Sequence, residues 1–277
     1  MRDYAFAGSF YPNGEKETSS MVYKFIENAS VDKTAANRLI SYAAPHAGYI
    51  YSGRTAGYTY KALSLRSDID DIETVAIVGP NHTGYGRPVS VSLQSWSTPI
   101  GEITNDKEFA RSMAESSDAI EIDETAHVQE HSIEVQLPFL QRVAPEKKAV
   151  FICMGDQSLE YSKHVSDAIL HAEKSLGRKI TVIASSDFNH YESASVAKRK
   201  DMPLIEAINE MNAVKFNRLV EELDDSACGF GPITVSMLYA KAHGGSEGVL
   251  LNYSNSGDAT KDYSSVVAYA SIGFARR

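Results

Sequence analysis

The sequence predicts an α/β protein built on a central, mostly parallel or mixed sheet flanked by helices, and three observations carry that prediction. Short β-branched runs alternate with amphipathic stretches along the whole chain, which is how layered α/β folds are written. Nothing reads as a linker, an internal repeat or a low-complexity tract, so one domain over residues 1–277 is expected, a length that α/β folds reach without dividing. Three of the strand candidates run directly into histidine-bearing turns, and open α/β sheets collect their ligands beyond the carboxyl ends of parallel strands.

In order along the chain, a helix is expected over 16–28, a strand over 39–43 and a helix over 54–65. Strands over 74–78 and 89–93 follow, then a helix over 107–116, a strand over 149–153 and a helix over 159–176. After a strand over 179–184 come helices over 202–211 and 212–223. A further helix opens at Gly231-Pro232, because proline suits a first helical turn and 233–243 continues without a breaker. Strands over 248–253 and 266–272 close the chain.

Composition narrows the function. At 43% hydrophobic and 23% charged the chain is ordinary for a globular protein. Its net charge of −9 argues against nucleic acid or an anionic membrane as partner, since both call for clustered Lys and Arg. No apolar run approaches the roughly 18–20 residues of a membrane span, and the first residues form no signal-peptide core. Two cysteines make no disulfide framework, which suits a reducing cytoplasm. No dinucleotide fingerprint, P-loop or nucleophile elbow is present.

The chemistry concentrates in a few loops. Pro45-His46-Ala47-Gly48-Tyr49 follows the first core strand, and Gly79-Pro80-Asn81-His82 follows the second. Two imidazoles presented by rigid strand ends make His46 and His82 the leading metal-ligand candidates, although either alone could merely close a turn. Cys228, in Ala227-Cys228-Gly229-Phe230-Gly231-Pro232, precedes a helix whose N-terminus should lower the thiol pKa. A small residue in a tight turn explains it equally well. Cys153 lies in an apolar run and is expected to be an inert core thiol. Asp187 and His190 share one turn; they suit acid/base work beside a metal, while Asp187 also suits a helix cap. His127, Glu130 and His131 match a short metallohydrolase pattern, which needs one helix face, and Pro138 shortens any helix there. Tyr11, Tyr49, Tyr51, Tyr85, Trp96 and Tyr191 crowd the same loops, as aromatic residues do in clefts and in ordinary half-buried loops alike.

Taken together, these segments resemble the Memo family: Pro45-His46-Ala47-Gly48-Tyr49, Gly79-Pro80-Asn81-His82, Glu130-His131-Ser132-Ile133-Glu134, Ser185-Ser186-Asp187-Phe188 with His190, and Cys228-Gly229. The opening Ala7-Gly8-Ser9-Phe10-Tyr11-Pro12 and the closing Asn252-Tyr253-Ser254-Asn255-Ser256-Gly257-Asp258 are similar too, so the likeness spans the chain. The resemblance implies a fold like that of class III extradiol dioxygenases, which hold Fe(II) with two histidines and a carboxylate. It implies a metal set of His46, His82 and Cys228, with the thiolate where the carboxylate would stand. Asp187, His190 and His131 would then be the catalytic residues. The ion would be Fe(II), alternatively Cu or Zn, because a soft sulfur shifts metal preference. The implied function is an iron- or copper-dependent redox protein or oxidoreductase acting on a small molecule or a peptide. Its rivals are a non-catalytic peptide- or protein-binding module and, through His127, Glu130 and His131, a metallohydrolase. Prokaryotic members of this kind belong to the AmmeMemoRadiSam set, which implies AMMECR-type and radical-SAM partner proteins.

Overall fold

The computed structural model describes all residues 1–277. Its strands are β1 (Leu39–Ala44), β2 (Thr74–Pro80), β3 (Val89–Val91), β4 (Trp96–Thr98), β5 (Gly101–Ile103), β6 (Glu121–Ile122), β7 (Lys148–Met154), β8 (Ile180–Ser185), β9 (His190–Glu192), β10 (Glu247–Asn255) and β11 (Val266–Ala275). Its helices are α1 (Glu15–Asn28), α2 (Lys33–Ala36), α3 (Tyr49–Ser64), α4 (Lys107–Ser116), α5 (Leu137–Val143), α6 (Leu159–Leu176), α7 (Ala194–Asn209), α8 (Ala213–Glu222), α9 (Phe230–Ala242) and α10 (Gly257–Thr260).

One mixed sheet organises the molecule, in the order β10-β11-β1-β8-β2-β7-β3-β6, with β9 attached to β11. The central strands β1, β8, β2 and β7 are parallel, whereas β11 runs antiparallel to β1, β10 and β9. The centre of the sheet is buried on both faces. In β2, Ala76 and Val78 point into one core while Val75 and Ile77 point into the other. Helices α4, α6, α7, α8 and α9 cover the first face, and α1, α3 and α5 cover the second. No helix is long and apolar enough to cross a membrane.

Three features differ from the sequence expectation. Helix α7 begins at Ala194, eight residues before the expected start at Met202, and runs through Pro203. Helix α3 begins at Tyr49, five residues before the expected start at Arg54, and so comes off the His46 loop directly. The β4–β5 hairpin, β6 and β9 are strands of two or three residues, too short to leave a periodic pattern.

Candidate metal centre

The parallel strands bring their chemistry to one edge. Beyond β1 the chain reaches His46, beyond β2 His82, and beyond β8 Asp187 and His190. The loop before α9 adds Cys228. Their convergence follows from strand direction alone, since β1, β8 and β2 are neighbours and point the same way.

The ring orientation of His46 can be deduced from its partners. Its Nδ1 lies 2.9 Å from Ser185 Oγ, which donates its single proton to the Ser132 carbonyl at 2.7 Å and accepts from Gln136 Nε2 at 2.8 Å. Ser185 has no second proton to give, so His46 donates from Nδ1 and leaves Nε2 unprotonated, where it accepts from the Cys228 thiol at 3.1 Å. His82 is held by the same logic. Its Nδ1 is 2.9 Å from Glu130 Oε1, and its backbone N–H donates to Glu130 Oε2 at 2.6 Å. Burial alone would raise the Glu130 carboxyl, but the His82 side-chain bond and charge, with the Ser132 and His82 N–H groups, outweigh it and pull the pKa to about 2. Glu130 is therefore an acceptor only, and His82 also carries its proton on Nδ1.

His131 completes the group. Donor nitrogens of His46, His82 and His131 all lie within 4.8 Å of one another. The His82 and His131 rings stack at 4.6 Å, and Phe10 covers His131 at 4.5 Å. Burial holds His46 well below its ordinary pKa and, with the nearby His46, brings His131 to about 3. Neutral imidazole is the form that binds a metal.

Cys228, expected as the third ligand with His131 as a catalytic residue, is not part of the compact group; His131 takes that place, and the sulfur approaches through His46 alone. Its Sγ is 3.1 Å from His46 Nε2 and accepts from the Asp187 backbone N–H at 3.3 Å. Gly229 makes this approach possible, because a Cβ there would lie 2.3 Å from the Ser185 carbonyl oxygen. The thiol differs from expectation in one respect. Burial, followed by the Asp187 carboxylate, pushes its pKa well up rather than down. Cys153 is a buried strand thiol, as its apolar run suggested.

Asp187 and His190 line the same cleft of about 530 Å³ as the three imidazoles. Asp187 Oδ1 accepts from the N–H groups of His46 (2.8 Å) and Ala47 (3.3 Å), which fixes the start of the His46 loop. Burial raises its carboxyl pKa. The His190 backbone N–H donates to Ser226 Oγ at 2.7 Å, while its Nδ1 has no partner.

The metallohydrolase geometry does not form. Residues 125–127 make a single 3-10 turn and the chain then leaves helical conformation until Glu134, so the three residues share no helix face. His127 turns away to pack edge-on against Trp96 at 5.5 Å, with both ring nitrogens buried and unpaired. Glu130 is fully buried beneath His82. Ser132 Oγ donates to the Pro80 carbonyl at 3.0 Å, tying this segment to the end of β2. Sequence reasoning missed Ser185 and Gln136 as orienting groups, and neither carries any local signal.

A family profile described as Memo-like protein matches residues 2–273. The chain belongs to the Memo family. Among curated Memo relatives, a MEMO1 family protein of Archaeoglobus fulgidus is 44% identical over 274 residues, covering 99% of both chains. MEMO1 family proteins of Methanopyrus kandleri and Nitrosopumilus maritimus are each 41% identical, covering 99% of both chains. The fold of this Memo family chain also resembles the crystal structure of an uncharacterized protein from Escherichia coli K12. The TM-score is 0.53 at 14% identity, covering 85% of this chain and 100% of that one, a likeness of fold alone.

Proposed function

We propose that this protein is a metal-dependent redox protein whose single transition ion, Fe(II) before Cu or Zn, is held by His46, His82 and His131 with the Cys228 sulfur beside His46. The observation that carries the reading is the orientation of the imidazoles. Ser185 and Glu130 each take the Nδ1 proton of one histidine, which leaves two Nε2 atoms unprotonated beside a compact three-histidine group. The 3.1 Å from Cys228 Sγ to His46 Nε2 suits a shared ion, because donors at roughly 2.0 and 2.3 Å from a tetrahedral ion stand about 3.5 Å apart. Nitrogen with sulfur favours iron, copper or zinc over magnesium or calcium.

Bound iron or copper would supply Lewis acidity and one-electron chemistry at the floor of the cleft, and zinc Lewis acidity alone. The chain's own groups do the rest. Asp187 ties the His46 loop to the end of β8, and Phe10 shields His131 from water. His190 offers an uncommitted ring nitrogen for holding a proton. Glu130 is too completely bonded to act as a hydrolytic base, which weakens the metallohydrolase reading through that residue.

Anaerobic purification with elemental analysis tests the reading. His46→Ala and His82→Ala should abolish metal binding, and Cys228→Ser should weaken it and remove sulfur-to-metal charge transfer from the cobalt-substituted spectrum. His127→Leu should retain parental metal content. Metal retained by the double His46/His82 variant would refute the site.

A further inference from the structure

Strand β9 carries an anomaly at the mouth of the cleft. His190 pairs with Val267 of β11 and Glu192 pairs with Val266, so Tyr191 is the extra residue of a β-bulge. Its φ is +65°, a left-handed conformation that glycine adopts freely and tyrosine only with strain. The Ser265 hydroxyl steadies the bulge by donating to the Tyr191 carbonyl at 3.2 Å. Burial does not account for tyrosine here, because the side chain is 79% exposed. Its ring stands at 5.6 Å and 63° to that of His190, lining the same cleft as the three-histidine group. Bulges next to functional sites re-aim side chains, and strained backbone persists where the side chain it presents is used.

The second observation is charge. No lysine or arginine lines this cleft. Asp187 is its one carboxylate, and the Asp187 oxygen that makes hydrogen bonds is committed to backbone N–H groups. Tyr51, Tyr269 and Phe10 add flat apolar surface, and Ser256, Thr260 and Ser265 add hydroxyls. In the metal-free cleft an anionic ligand body would lose its hydration without meeting a lysine or arginine, whereas a neutral or cationic planar body meets ring faces and hydroxyls.

We propose that Tyr191 is a ligand-contacting residue and that the cleft takes a ligand whose body is flat and carries no negative charge. The proposal rests on reading this cleft as the functional site. The Tyr191 contact does not depend on which metal, if any, the histidines hold, and the charge preference is that of the metal-free cleft, since a bound ion would itself attract an anion.

Benzamide, benzylamine and benzoate present one ring with a neutral, a positive and a negative group, and serve as probes. Their dissociation constants are measured by ligand-observed NMR on the full-length protein, metal-free in chelator and again with zinc added. Without metal, benzamide and benzylamine should bind about ten-fold or more tighter than benzoate. Tyr191→Gly should weaken benzamide binding by about five- to ten-fold, while Tyr191→Phe binds as the parent does. Tyr191→Gly should also keep the parental Tm or raise it, because glycine relieves the left-handed strain. A merely structural tyrosine would show the reverse, with Tm falling and binding unmoved. Equal or tighter binding of benzoate to the metal-free protein, no binding of any probe at millimolar concentration, or parental binding by Tyr191→Gly overturns the proposal. A protein that takes up no metal but keeps the charge order would refute the metal reading alone.

Discussion

Glu130→Gln is nearly isosteric, yet it should dismantle half of the site. The wild-type carboxylate accepts three hydrogen bonds: Oε1 from Ser132 N (2.8 Å) and His82 Nδ1 (2.9 Å), and Oε2 from His82 N (2.6 Å). Glutamine replaces one oxygen with an NH2 group that cannot accept. If the amide nitrogen takes the Oε2 place, it faces the His82 backbone N–H, a buried donor against a donor costing about 1–3 kcal/mol. If it takes the Oε1 place, it faces Ser132 N–H and the His82 ring. The ring can relieve that conflict only by moving its proton to Nε2, which removes the lone pair needed for an ion. Either arrangement loosens or misprotonates His82. Loss of such an orienting partner lowers metal affinity by about 10–100-fold. The assay is calorimetric or competitive zinc titration beside a thermal melt. Parental zinc affinity in Glu130→Gln, with a melting temperature that shows it folded, would refute the claim that Glu130 sets the His82 tautomer.

Other outcomes follow from the same accounting. Arg2 is buried against Trp96 and donates to the His127 and Glu130 carbonyls and to Glu134, so Arg2→Ala should cost about 3–5 kcal/mol of stability, read by denaturant unfolding. Gly229→Ala would set a Cβ 2.3 Å from the Ser185 carbonyl oxygen; it should cost about 1–3 kcal/mol and slow thiol-to-metal charge transfer formation by moving Cys228 off His46. Asp201 and Asp225 face each other in the core, and burial raises both, Asp201 to about 8. The folded protein then holds a proton that the unfolded chain releases near 3.8, so stability should fall as pH rises from about 4 to about 8 and level off above. Asp225→Asn, whose amide can donate to Asp201, should flatten that slope, and an unchanged melting profile would contradict the shared proton.

Much of this was legible in the sequence because the relevant patterns are local. Apolar β-branched runs mark the central strands, and the turns after β1, β2 and β8 display His46, His82 and Asp187 within a few residues of a strand end. What stayed hidden depends on distant contacts. His131 reaches the other imidazoles only because residues 128–133 leave helical geometry, and that path is set by Glu130 bonding to the His82 loop. Tyr191 is one loop tyrosine among several until β9 pairs with β11 and forces the bulge. The Cys228 thiol illustrates a competition that spacing cannot weigh. The helix N-terminus was visible in the sequence, but the burial and the Asp187 carboxylate that raise the thiol pKa were not.

The most direct test of the metal centre is a crystal structure of the anaerobically prepared, iron-loaded protein with anomalous data collected at the iron edge. The account predicts one anomalous peak per chain. Nitrogens of His46, His82 and His131 should lie at roughly 2.0–2.2 Å from it, with the Cys228 sulfur on the His46 side and His127 remote against Trp96. A peak elsewhere in the molecule, or an ion at this cleft without His46 and His82 among its ligands, would contradict it.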